Sequence, residues 1–240
     1  MKKNFYAVIS IAVLFLGSAC KKDNVDYRST ANIYVVNATV DGGAIKVNPG
    51  AGKGFTYKTA TDQVFGTGAV YGAFTGNTNI TIVSSADTTK TIFNRTINLQ
   101  PINTLYLAGQ SPNIDTLYRV EKNFPYISQS QATLNPDNSM YIRFVNLCPN
   151  SPAVNINIRN STTNEATNLT YKGITDFVKY PALTTTPNYV FEVRNATDNS
   201  LITSVTVGVS ASRFKTLSLI FKGAIGSTTA SPSVFQFNYN

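Results

Sequence analysis

The chain has 240 residues, a net charge of +8, 42% hydrophobic residues and only 13% charged ones. That is enough apolar material for packed cores and excludes wholesale disorder. It contains no histidine, which excludes Ser-His-Asp and Cys-His catalysis and histidine metal ligation. The 12 carboxylates are scattered without a paired motif, so the composition points to a protein without catalytic activity, cofactor or metal. The 20 Lys and Arg never run longer than two. This is a mildly basic solvated surface rather than a nucleic-acid footprint.

Residues 1–19 have the three parts of a secretory signal peptide: the cationic pair Lys2-Lys3, an apolar run from Phe5 to Leu16, and small residues. The apolar run is too short to read as a spanning helix. Leu16-Gly17-Ser18-Ala19-Cys20 resembles the lipobox of bacterial lipoproteins. The resemblance implies that Cys20 becomes the first residue and carries lipid, making membrane lipid a partner through Cys20. Gly17 stands where the usual motif has Leu, which leaves open ordinary cleavage after Ala19 and a soluble secreted product. Residues 20–30 are polar and read as a tether. Lys21-Lys22-Asp23 weakly resembles the charged signal of surface lipoproteins, which implies an outer-membrane location facing the cell surface. The alternative is a solvated linker on the periplasmic face.

Beyond the tether the pattern is strands and turns. "IYVVN" and "AIKV" show apolar residues at or near every second position, and "NITIV" and "TIFNRTINL" alternate Ile with Thr or Asn. "TLYLAG" and "TLYRVEK" follow, and after residue 138 come "MYIRFVN", "AVNINIRN", "YVFEVRN", "LITSVTVGV", "TLSLIF" and "SVFQFNYN". Turn chemistry separates them at Asp41-Gly42-Gly43, Asn48-Pro49-Gly50 and Asp198-Asn199-Ser200. No window forms a convincing amphipathic helix.

Three collinear matches indicate a tandem duplication. Ile33–Val47 matches Ile142–Ile156 at an offset of 109 residues, and "TLYLAG" at Thr104 matches "TLSLIF" at Thr216 at 112. The decapeptides "FTYKTATDQV" (Phe55–Val64) and "LTYKGITDFV" (Leu169–Val178) share six of ten residues at an offset of 114. A repeat of about 110 residues is a whole domain. The expected fold is all-β: two tandem immunoglobulin-like antiparallel β-sandwich domains, 31–123 and 139–240, joined by a linker at 124–138. Each half is expected to unfold independently. In the decapeptides Tyr57 and Tyr171 are expected to face the cores, Lys58 and Lys172 solvent, and Asp62 and Asp176 to accept backbone N–H bonds in turns.

"IRFVNLCPNSPAVNINI" resembles the opening of the domain of unknown function 4397 family, through Arg143-Phe144-Val145-Asn146, Pro149, Pro152, Ala153 and Val154. "YKGITDFVKYPA" (Tyr171–Ala182) and "YVFEV" from Tyr189 resemble the family's next segment. The match covers 140–240, and reaches 31–123 only through the duplication. The resemblance implies a small immunoglobulin-like sandwich in cell-envelope proteins and no known activity. The family's Ser is Cys148 here, and its two acids are Asn150 and Asn155, so a hard-cation site held by those acids would be lost. Cys148, beside Pro149 at a strand end, is expected to be buried and inert.

These features point to a cell-envelope lipoprotein of structural, adhesive or protein-interaction type, with an envelope protein or glycan as partner. The alternative is a surface glycan-binding lipoprotein that assists polysaccharide capture. With 13 Tyr and no Trp in the chain, the candidate ligand contacts are Tyr71 and Tyr180, and Tyr57 if it faces outward; all three are expected on loops.

Overall fold

The computed structural model describes residues 29–50, 54–125 and 138–239. The expected signal peptide, Cys20, most of the expected tether and most of the expected 124–138 linker lie outside the described residues. Within them, the first half holds β1 (Thr30–Asn37), β2 (Ile45–Asn48), β3 (Thr67–Phe74), β4 (Gly76–Ser84), β5 (Thr91–Leu99), β6 (Ile102–Gln110) and β7 (Asn113–Val120). The second half holds β8 (Ser139–Asn146), β9 (Val154–Ile158), β10 (Asn164–Leu169), β11 (Val178–Pro181), β12 (Tyr189–Asn195) and β13 (Leu201–Val207). A one-turn helix α1 (Val209–Ser212), β14 (Thr216–Lys222) and β15 (Ser233–Asn238) complete it. The all-β expectation holds.

The strands form four sheets, ordered β3-β1-β6-β7, β2-β4-β5, β11-β8-β14-β15 and β10-β9-β12-β13. The same order thus occurs twice, β10 being an addition to the second half. Pairing is antiparallel except that β1 runs parallel to β6 and β8 parallel to β14. Each half closes its own core. Ile33, Val35, Leu105 and Leu107 of the first sheet meet Ile45, Val47, Ile80 and Ile82 of the second. Ile142, Phe144, Leu217 and Leu219 meet Val154, Ile156, Phe191 and Val193 in the same way.

The opposite faces of the two large sheets are also buried, against each other. Tyr34, Val36, Tyr106 and Ala108 pack with Val145, Ile220, Phe237 and Tyr239 in a third core. A strand buried on both faces has no solvent side, which is why "IYVV", "LYLA" and "LSLIF" read as nearly unbroken apolar runs. Burying a Val or Ile fully is worth roughly 1.5–3 kcal/mol, so this seam is held by the same force as either core. Close approach is built in at Gly68, where a Cβ would lie 2.5 Å from the Phe237 ring. The buried seam argues against independent unfolding of the halves.

Backbone bonds identify true equivalents. Asn37 Oδ1 accepts from Thr39 N, and Asn146 Oδ1 from Cys148 N, one bend repeated at the end of β1 and β8. Ala38 N donates to Leu107 O as Leu147 N donates to Phe221 O, and Glu121 N donates to Ile102 O as Tyr239 N donates to Thr216 O. The offset is therefore 109 for β1 and β8, as read, but 114 for β6 and β14 rather than 112. That slip of two residues leaves every side chain on its expected face.

The decapeptides do not correspond. Tyr71 lies opposite Ile33 and Val178 opposite Ile142, so Val178 is the counterpart of Tyr71 and not of Val64. The reason is the connection: the second half runs through β10 before reaching its edge strand, whereas among the described residues the first half has no strand between β2 and β3.

Candidate functional site

The sequence-selected residues fall in unlike places. Tyr180 lies on edge strand β11, not on a loop, and is 5% exposed. Its ring packs against Tyr189 and Phe191, and its hydroxyl donates to Glu165 Oε2 at 2.6 Å. Burial, then that carboxylate, push its pKa far up. It therefore offers no face to a ligand. Tyr71 lies on β3, half-buried against the first core, and donates to Gln63 Oε1 at 3.3 Å; burial raises its pKa. Tyr57 is half-buried edge-on to Phe55 at 5.1 Å, and its carbonyl accepts from Lys46 Nζ. Cys20 lies outside the described residues.

The twin acids do not cap backbone. Asp62 accepts from Ser85 Oγ at 2.5 Å and pairs with Lys46 at 3.4 Å, while Asp176 pairs with Arg119 at 2.5 Å. Tyr171 enters the seam rather than its own half's core and donates to Asp115 Oδ2 at 2.9 Å. Lys172 joins it there through Asp115 Oδ1, at 3.3 Å. Cys148 is buried as expected, and burial raises its thiol pKa. Asn150 and Asn155 tie loops: Asn150 binds both backbone groups of Ile225, and Asn155 Oδ1 accepts from Asn168 N.

The largest polar assembly among the described residues lies inside the seam, where the sequence reading placed no site. Arg143, 0% exposed, sits on β8, and Glu121 lies just past β7. The two are joined by a two-pronged pair at 2.7 and 2.9 Å, the planar fork that guanidinium and carboxylate favour. Arg143 Nε donates to Ser218 Oγ at 2.8 Å and Nη2 to the hydroxyls of Tyr106 and Tyr239. Thr104 Oγ1 donates to Glu121 Oε1 at 2.7 Å. The guanidinium also lies 4.4 Å from the Phe177 ring centre. Burial opposes the charge, but the surrounding phenols and Glu121 outweigh it and the Arg143 pKa is raised. Tyr34 adds a bond across the seam to Tyr239 O at 2.9 Å. A buried pair with every guanidinium nitrogen engaged serves orientation of the two sheets; its net worth in stability is small, but loss of one member is costly. The sequence signal was an Arg inside the apolar run "MYIRFVN", where alternation places it on the face of Val145.

Three surface clefts among the described residues are lined as follows. One of about 450 Å³ lies between the β2 end and the β3–β4 turn, lined by Asn48, Gly50, Phe74, Asn77 and Thr78. One of about 580 Å³ opens at the rim of the seam beside Arg119, Lys122, Tyr141 and Asp176. One of about 480 Å³ lies on the outer face of β9 and β12. Among the described residues no group of three His, Cys, Asp or Glu could hold a metal ion, and no helix is long and apolar enough to cross a membrane.

No family model matches the chain, and no curated protein matches it. Among solved structures it is similar to one described as "Alpha-glucan recognition by family 41 carbohydrate-binding modules from streptococcal virulence factors". The identity is 13% over 79% of this chain and 93% of that one, with a TM-score of 0.24. A likeness of that size carries no argument about ligand.

Proposed function

We propose that this chain is a lipid-anchored protein of the cell envelope, of structural, adhesive or protein-interaction type, with two immunoglobulin-like sandwiches of the domain of unknown function 4397 kind. The observation that carries the reading is the seam. The most elaborate polar network among the described residues faces inward and joins the halves, and a rigid joint of this kind suits a spacer that presents its loops and edges to a partner. The leader and Cys20 supply the anchor, and the outer membrane is the location. The test is Cys20→Ser in the producing cell. The variant is expected in the soluble fraction, or in the medium, while the native chain sediments with membranes; a variant that still sediments refutes the anchor.

A second reading, surface glycan binding, is favoured by one observation: the cleft of about 480 Å³ on β9 and β12 is lined by amides and hydroxyls around Glu192 and Arg194.

A further inference from the structure

We infer that this cleft is a binding site for a neutral saccharide, in which Glu192 and Asn157 receive hydroxyl protons and the surrounding amides and guanidinium edges donate. The inference deepens the glycan-binding reading and rests on it. The site is assembled from distant stretches. Asn157 pairs in register with Asn164 on β10 and with Glu192 on β12, so the three share the outer face of the sheet. Asn160, at φ 65°, turns the chain between β9 and β10 along one wall, and Asn199, at φ 59°, turns it after β12 along another. Left-handed backbone is tolerated by Asn better than by other side-chain-bearing residues, so these amides serve the turns and line the cleft together.

The charges within the cleft are already committed to one another. Glu192, 6% exposed, accepts from Arg194 Nη2 at 2.8 Å and from Arg159 Nε at 3.1 Å. These bonds, Arg194's first, hold its pKa below the ordinary value. Arg194 is fixed further by Nη1 donating to Asn199 O at 2.9 Å. Asn157, also 6% exposed, donates from Nδ2 to Ile158 O at 2.9 Å, which sets its orientation; its Oδ1 is a buried acceptor without a protein partner.

Ligand chemistry follows by matching. Asn157 Oδ1 wants a donor and Glu192 Oε1 can accept beyond its bond from Arg159, while the amide NH2 groups and the Arg194 edge want acceptors. A group that does both at each point is a hydroxyl. A phosphate or carboxylate would set its negative charge against that of Glu192. An ammonium would lie against the Arg194 guanidinium. An apolar ligand finds no apolar wall. The volume is in the range of small-molecule sites.

The test is calorimetric titration of the full chain with neutral oligosaccharides (maltoheptaose, laminarihexaose, xylohexaose, mannohexaose), with polygalacturonate and with inorganic phosphate. At least one neutral oligosaccharide is expected to bind. Asn164→Ala and Glu192→Gln are expected to weaken it at least tenfold, with the Asn164→Ala melting temperature unchanged. Amide shifts on binding are expected to cluster at 157–164 and 192–199. Binding that survives both substitutions, with shifts elsewhere, overturns the site and leaves the glycan reading standing. Binding of phosphate or polygalacturonate in place of neutral sugar overturns the ligand class. A folded chain that binds none of the probes overturns the glycan reading and this inference with it.

Discussion

Two arginine–glutamate clusters among the described residues sit in unlike surroundings. In the seam, Arg143 and Glu121 have side-chain exposures of 0% and 3%, and serine, threonine and tyrosine hydroxyls close around them. On the outer sheet, Glu192 is nearly as covered, but its partners Arg159 and Arg194 keep 50% and 27% of their side chains in solvent. The same residue types thus act as a closed joint in one place and as the floor of an open cleft in the other. What separates the two is whether another sheet lies on top.

The sharpest way to break this contrast is Arg143→Ala, which strands Glu121 in the seam. A loss of about 3–5 kcal/mol is expected by urea unfolding. Arg143→Met with Glu121→Leu is expected to recover much of it, because two apolar side chains need no partners. The native chain is expected to unfold in a single transition; two separated transitions would show that the seam does not couple the halves. Gly68→Ala is next. Its methyl would meet the Phe237 ring, and overpacking of this kind costs about 1–3 kcal/mol. A neutral result would mean that the sheets can part at that point without loss.

The outer cluster gives a pH signature. The folded-state pKa of Glu192 is lowered, so its contribution is fully present above the unfolded value of 4.5 and is lost as pH falls through the lower folded value. Acid titration of stability is expected to be less steep in Glu192→Gln; identical profiles would show that the two guanidiniums leave the carboxyl unperturbed. The smallest effect is expected at Arg119–Asp176, where Asp176 is 90% exposed. Asp176→Asn is expected to change stability by no more than about 1 kcal/mol, and a larger change would mean that the seam extends to its rim.

Local features were legible in the sequence. The alternation of "TIFNRTINL" gave β5, and the glycine and asparagine turns gave the strand breaks. Asn37 and Asn146, matched by sequence, perform the same bend. The seam was not legible, because an unbroken apolar run such as that around Tyr34 and Val36 is compatible with a strand covered on one face or on two. Arg143 was hidden by its own chemistry, since arginine is rarely enclosed unless paired, and its partner lies 22 residues away, just past the end of β7. The decapeptide match misled because side-chain identity in a loop does not fix its place; hydrogen-bond register does. The cleft brings Asn157, Asn164, Glu192 and Asn199 together from four segments, and no local window contains that proximity.

Tyr239 gives the seam a direction in time. Its carbonyl and hydroxyl meet Tyr34, Tyr106, Ser218 and Arg143, yet it is made more than a hundred residues after the first two. During synthesis the leading half must wait with an oily, tyrosine-studded flank uncovered until the trailing strand arrives. Over that interval the growing polypeptide is open to docking with the wrong neighbour, and a chaperone that shields flat β surfaces would act on it then.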